Sequence, residues 1–240
     1  MALAAAGCMG FTTFSITPAW VRNALTLGRS DQLHNIPTSA RFTVDEGGRF
    51  ILDRTHHPAL LKFDDSPEVW SVTPSRGPRG DILFKDDVGD ILIRVTKLGG
   101  VTVFTSRRPA GSAATLLGRV APLSFAPIGP TVLYQRMILA SSRCSRATHH
   151  LVAFDAPDAD AKSAGILFDT AWLAMDAIVS MSSHPSGRAA ALRVDKVVLT
   201  MAGKPGVWLR RGVLTIAVNP GDALSGHPSS ARIAQAIEGE

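Results

Sequence analysis

FKDDVGDILI, Phe84–Ile93, can be read in two ways. Asp86, Asp87 and Asp90 form the pattern D-D-x-x-D. On a helix that pattern would set Asp86 and Asp90 on one face with Asp87 beside them, as a magnesium–diphosphate site needs. The flanks decide against it. Ile82 and Phe84 alternate before the run, and Ile91, Ile93 and Val95 alternate after it. A period of two is the strand period, so the aspartates belong to a hairpin turn, with Gly89 free to take positive φ. Carboxylates so placed splay apart, and no metal site is expected there.

The same alternation extends outward in both directions. RFTVDEGGRFILD, Arg41–Asp53, sets Phe42 and Val44, then Gly47-Gly48, then Phe50 and Leu52, which is a hairpin around a glycine pair. ALLKFDD and EVWSVTP follow around Asp65-Ser66-Pro67, and VTVFTS closes the series after Leu98-Gly99-Gly100. About seven strands are therefore expected between Ala40 and Ser106. Their links are too short for parallel crossovers, so the sheet is an antiparallel meander, curled on itself or closed into a partial barrel.

Beyond Ala110 the period changes. In Thr131–Phe154, apolar residues Leu133, Met137, Ala140, Cys144, Ala147, Leu151 and Phe154 recur every three or four positions, a helix started by Pro130 and Thr131. A second helix runs from about Ile166 to Met181. Its stripe Leu167, Ala171, Ala174, Ile178 and Met181 is joined by a second stripe, Phe168, Trp172, Met175 and Val179, so it should lie centrally. Arg136 and Arg143 are seven apart, as are Asp169 and Asp176, and facing charge rows could fix the packing of this helical hairpin. Strand patterns return in DKVVLTM, GVWLRR and VLTIAVN, with turns at Gly203–Gly206 and Arg211-Gly212, before a short terminal helix capped by Ser229 or Ser230.

The expected class is α+β: the meander, then the helical hairpin, a further β-hairpin or short strands, and a C-terminal helix. Residues 1–20 form a signal-like segment, 21–39 a linker, 40–108 the antiparallel β half, and 109–240 the helical hairpin with late strands and terminal helix. The late strands could extend the early sheet, which would make 40–240 one domain.

Composition excludes several functions. The 240 residues are 45% hydrophobic and 19% charged, enough for a packed core and too apolar for general disorder. The net charge of +5 is scattered, with no cluster longer than Arg107-Arg108 or Arg210-Arg211 and a single tyrosine. Nucleic-acid binding, which gathers Lys and Arg on one face among aromatics, is not expected. Residues 2–19 are small and apolar, too polar through Thr12, Thr13, Ser15 and Thr17 for a membrane span, and they read as a secretory leader. The mature chain should lack a transmembrane helix and be exported or periplasmic; a cytoplasmic location is the alternative.

Cys8 and Cys144 are the only cysteines, so a leaderless chain has no intrachain disulfide, and Cys144 reads as core filler. The sequence contains no G-x-S-x-G, S-x-x-K, H-E-x-x-H, Walker A or G-x-G-x-x-G motif. His56-His57 and His149-His150 each follow a threonine, but neighbouring residues diverge on either a strand or a helix, so a shared metal is not expected. No cofactor is implied. The remaining candidates are basic. Arg107 and Arg108 sit just past a strand and before a candidate helix at Ala110, and Arg94 and Lys97 on a neighbouring strand could complete a rim for a phosphate or carboxylate.

The run Pro78–Gly111 resembles a family of uncharacterised alphaproteobacterial proteins, a domain of unknown function of the DUF4908 type. Pro78-Arg79-Gly80-Asp81, the Asp87-x-Gly89 turn, Leu98–Thr105 and Arg108-Pro109-x-Gly111 carry the likeness. Arg49–Arg54 and Ser66–Ser75 add to it, and Ala140–Ala156 more weakly. It covers about residues 40–220, and its members tend to begin with an export signal. The resemblance implies no activity, ligand or catalytic residue. The sequence thus points to a noncatalytic exported envelope protein with a binding or structural role, whose partner is an envelope protein or a small anionic ligand. The alternative is a hydrolase-like enzyme acting on an anionic substrate near Arg94, Arg107 and Arg108.

Overall fold

The computed structural model describes residue 33 and residues 35–45, 47–125 and 128–239. The signal-like segment, Cys8 and most of the expected linker lie outside them. Seven strands fall where alternation places them: β1 (Ser39–Val44), β2 (Arg49–Asp53), β3 (Ala59–Phe63), β4 (Val69–Arg76), β5 (Ile82–Lys85), β6 (Ile91–Val95) and β7 (Val101–Thr105). An eighth, β8 (Arg108–Arg119), pairs with β7 on one side and β1 on the other, so the meander closes completely. This corrects the expected helix at Ala110. Arg108 opens a strand, and the β portion runs past residue 108 to Arg119.

Closure buries the alternating residues against one another. Ala40, Phe42, Phe50, Leu52, Leu61, Val72, Phe84, Ile93 and Val95 fill the interior. Phe42 stacks on Phe50 at 5.0 Å, Phe50 lies 5.8 Å from Phe63, and Phe63 meets Trp70 edge-on at 5.3 Å. Eight strands enclose just enough space for side chains, and each buried Phe contributes roughly 1.5–3 kcal/mol, so this barrel is a core and not a container. Gly111 is required by the packing: at φ 85°, an added Cβ would lie 2.7 Å from Phe104 Cε1. The last residues of the expected linker also join the barrel. Ile36 is buried in its core, and the Arg54 guanidinium donates to the carbonyls of Ile36 (2.6 Å) and Pro37 (3.1 Å).

The remaining chain builds a second layer. Helix α1 (Pro130–Thr148) packs on α2 (Ala164–Ser183), the expected helical hairpin. His149 adopts a left-handed conformation (φ 59°) and ends α1 there. Leu151, exposed, and Phe154, on strand β9 (Ala153–Asp155), therefore fall outside the helical stripe. After the short α3 (Pro185–Ala191) come β10 (Lys196–Met201), β11 (Gly206–Arg210) and β12 (Val213–Val218), a 3-10 turn (Pro220–Ser225) and α4 (Ser230–Glu238).

The late strands do not extend the barrel. They form their own sheet in the order β11-β12-β10-β9, in which β9, β10 and β12 run parallel and only the β11–β12 hairpin is antiparallel. Helices α2 and α3 supply the crossover from β9 to β10, and strand β11 carries the chain from β10 back to the parallel β12. Helix α2 is the one described helix long and apolar enough to cross a membrane, and 61% of that stretch is buried inside the protein, as in the central helix of a packed core.

Candidate functional site

Two carboxylates from barrel turns hold the N-terminus of α4. The first is Asp87, from the D-D-x-x-D run. Within that turn Asp86 Oδ1 accepts from the N–H groups of Val88 (3.1 Å) and Asp90 (2.8 Å), and Gly89 has φ 98°, so the stretch is the expected turn. Asp87 points away from it and accepts from Ser229 N–H (2.9 Å) and Ser229 Oγ (2.5 Å). The second is Glu68, in the β3–β4 turn. It accepts from Ser230 N–H (2.9 Å) and Ser230 Oγ (2.7 Å). Free N–H groups at a helix start need such acceptors, and the positive end of the helix dipole favours carboxylates. Beneath this joint Leu60 and Val69, on the outer face of the barrel, pack with Leu224, Leu123 and Phe125.

Beside the joint lies a cleft of about 180 Å³. The barrel contributes Pro67, Glu68 and Val69, α1 contributes Arg136, α2 contributes Phe168, Asp169, Trp172 and Leu173, and the loop before α4 contributes His227. The helical charge rows meet here in a form the sequence only half reveals. The Arg136 guanidinium lies 3.8 Å from the Phe168 ring centre and 4.6 Å from that of Trp172, and Arg143 lies 5.5 Å from Trp172. Such stacking fixes the guanidinium plane while leaving its N–H groups at the edge.

The four titratable groups of the cleft differ in how far they are committed. Glu68 is committed to Ser230; its carboxyl is nevertheless raised, first by burial and then by Asp176 and Asp87 nearby, against the Ser230 bonds. His227 is buried, its imidazole pKa lowered by that burial, and Nδ1 bonds to Pro228 O at 3.1 Å, which places its proton on Nδ1. Asp169 is raised to about 6 by burial, against the pull of Lys62 and Arg136. Lys62 itself donates to Ser66 O (3.3 Å) and Pro67 O (3.2 Å). Among the described residues, neither the Arg136 nor the Asp169 side chain makes a hydrogen bond or an ion pair. Burial lowers the Arg136 pKa, and Asp169 works against that lowering.

The basic residues singled out from sequence lie elsewhere. Arg94 is bound to the buried Asp81 through Nε (2.6 Å) and Nη2 (2.5 Å), and the Lys97 backbone N–H adds a longer bond to the same carboxylate. Arg94 also borders a shallow apolar recess formed with Pro78, Leu83, Ile91 and Phe104. Arg107 lies in the β7–β8 turn, at the opposite end of β7 from Lys97, and Arg108 Nη1 reaches Ser112 Oγ at 3.5 Å. The structure thus gathers Arg94 and Lys97 around Asp81 and sets Arg107 and Arg108 apart.

One histidine of each pair bonds a backbone carbonyl far away in sequence: His56 Nε2 to Leu123 O (3.2 Å), and His150 Nε2 to Val194 O (2.9 Å). Among the described residues no three His, Cys, Asp or Glu side chains gather as a metal-holding group. Cys144 is buried, and its thiol is pushed up to about 12, which removes it as a nucleophile.

Fold and cleft together define a class: an α+β protein in which a filled, closed meander barrel is docked by two carboxylates onto a helix-covered mixed sheet. The chain belongs to the family described as a domain of unknown function (DUF4908), whose model matches residues 21–237. No curated protein and no solved structure matches it.

Proposed function

We propose that this is a noncatalytic binding protein whose ligand site is the cleft between barrel and helices. The observation that carries this reading is Arg136: a guanidinium held flat on two aromatic rings, lining a cleft, and without a hydrogen-bonding partner among the described residues. Orienting an arginine this way costs side-chain freedom and desolvation, and a ligand carboxylate or phosphate would offset both with paired N–H···O bonds. The filled barrel then acts as scaffold and docking surface. The apolar segment 2–19 supports an exported location for this activity.

A hydrolase is the second reading, and Asp169 is the observation that favours it, since a carboxyl near 6 is poised for proton transfer. It ranks lower because Glu68 is already engaged by Ser230 and the buried Cys144 is no nucleophile. The test is native mass spectrometry of the gently purified chain, with thermal-shift screening against small carboxylates, phosphates and sulfates. A retained or stabilising small anion that is lost in Arg136→Met supports the binding reading. Stabilisation unchanged in that variant overturns it, as does the absence of any binder. Turnover of ester or phosphoester substrates that is abolished by Asp169→Asn would favour the enzyme instead.

A further inference from the structure

The two uncommitted polar groups of the cleft have opposite charge. Arg136 and Asp169 lie close enough for each to shift the other's protonation, yet they form no ion pair, and both line the same opening. A gap held between an unpaired cation and an unpaired carboxylate is complementary to a ligand carrying both charges.

Simpler ligands fit less well. A plain anion on Arg136 would sit against Asp169, with Glu68 on the barrel side of the cleft and Asp176 about two turns further along α2. A plain cation on Asp169 would face the guanidinium, with Lys62 also near enough to act on the carboxylate. Size narrows the choice further. At about 180 Å³ the cleft is smaller than the roughly 300–1,000 Å³ typical of drug-sized pockets, so the ligand has few heavy atoms. Val69, Leu173 and Pro67 supply an apolar wall for a short side chain.

We propose that the cleft takes a small zwitterion of the α-amino-acid type, with its carboxylate on Arg136, its ammonium on Asp169 and an apolar side chain against Val69 and Leu173. This rests on the binding reading given above and adds the ligand class to it. The raised Asp169 carboxyl accords with the assignment, because a carboxylate desolvated without a hydrogen bond is relieved by an incoming ammonium. Glu68 and His227 stay outside the recognition step, the first on Ser230 and the second on Pro228.

The experiment uses the full chain, isothermal titration and thermal shift. The probes are the common apolar and small L-amino acids, each compared with its carboxylic acid lacking the amine and its amine lacking the carboxylate; for leucine these are 4-methylpentanoate and 3-methylbutylamine. At least one amino acid should bind about tenfold or more tightly than either partial analogue, equivalent to about 1.4 kcal/mol for each missing group. Arg136→Met and Asp169→Asn should each weaken it by about tenfold or more, and Arg136→Lys should retain part of the affinity. The lysine variant carries the test if Arg136→Met fails to fold. Equal binding of the deaminated acid would overturn the zwitterion while leaving an anion-binding cleft standing. Equal binding of the amine would overturn it too. If no amino acid binds but the screen above yields an Arg136-dependent anion, the zwitterion falls alone; if neither binds, both readings fall.

Discussion

Two arginines, Arg94 on the barrel and Arg136 at the seam, show how little a basic residue's neighbours in sequence say about its availability. Arg94 stands in a stretch rich in charge, and it is committed: a buried carboxylate, Asp81, takes both its Nε and its Nη2. Arg136 stands between Gln135 and Met137 on α1, and its partners are ring faces, which hold a guanidinium without consuming its N–H groups. The first arginine closes a structure, while the second is oriented for something else to complete.

The largest effect expected from this contrast is at the barrel pair. Arg94→Met leaves the Asp81 carboxylate, only 4% exposed, with the Lys97 N–H alone, and should cost about 2–3 kcal/mol in urea unfolding. A loss below about 0.5 kcal/mol would erase the distinction between the two sites.

Asp169→Asn is the next in size and opposite in sign. The folded carboxyl titrates near 6 and the unfolded one near 3.8, so the native state holds its proton more tightly. The associated stability is fully present below the unfolded value and is lost as pH rises through about 6, with Lys62 and Arg136 being the charged groups that face it. The asparagine variant should therefore be more stable than the parent above pH 6, by on the order of 2 kcal/mol, and should lack the parent's decline between pH 4 and 7. Parallel stability–pH curves for the two would refute the burial assigned to this carboxylate.

Glu68→Ala removes the acceptor for Ser230 and should cost about 1–2 kcal/mol, with faster amide exchange in the first turn of α4. Unchanged exchange there would mean that the joint does not need this carboxylate. Arg136→Met should do least, within about 1 kcal/mol of the parent, because it loses only ring contacts and a part-exposed attraction to Asp169. A loss as large as that at Arg94 would make Arg136 a structural residue after all.

Much of the barrel is legible in the sequence because its strands obey period two and its turns carry Gly47-Gly48, Gly89 and Gly99. The closing strand is not. RPAGSAATLLGR offers small residues where alternation would show large ones, since the interior opposite β8 is already filled by Phe42 and its neighbours. The separate parallel sheet is hidden for a different reason: pairing β9 and β12 to β10 joins residues that α2, α3 or a hairpin separate along the chain. At the site, the rows of Arg136 with Arg143 and Asp169 with Asp176 are visible from spacing, and Phe168 and Trp172 belong to a visible second stripe. Their conjunction is not, because the angle between two helices decides whether a guanidinium meets a carboxylate or a ring. Glu68 and His227 carry no motif at all; only the docking of the barrel brings them to the cleft.

The seam also has a consequence for how the two halves depend on each other. Helix α4 is the last element among the described residues, and its opening turn is satisfied by Asp87 and Glu68, which precede their partners by 142 and 162 residues. Its own cap, Ser229 accepting from Arg232 N–H at 3.1 Å, meets only part of the demand. The opening turn of α4 is thus completed only where the barrel has folded against it. Order in Ser230–Glu238 becomes a readout of whether the barrel has folded.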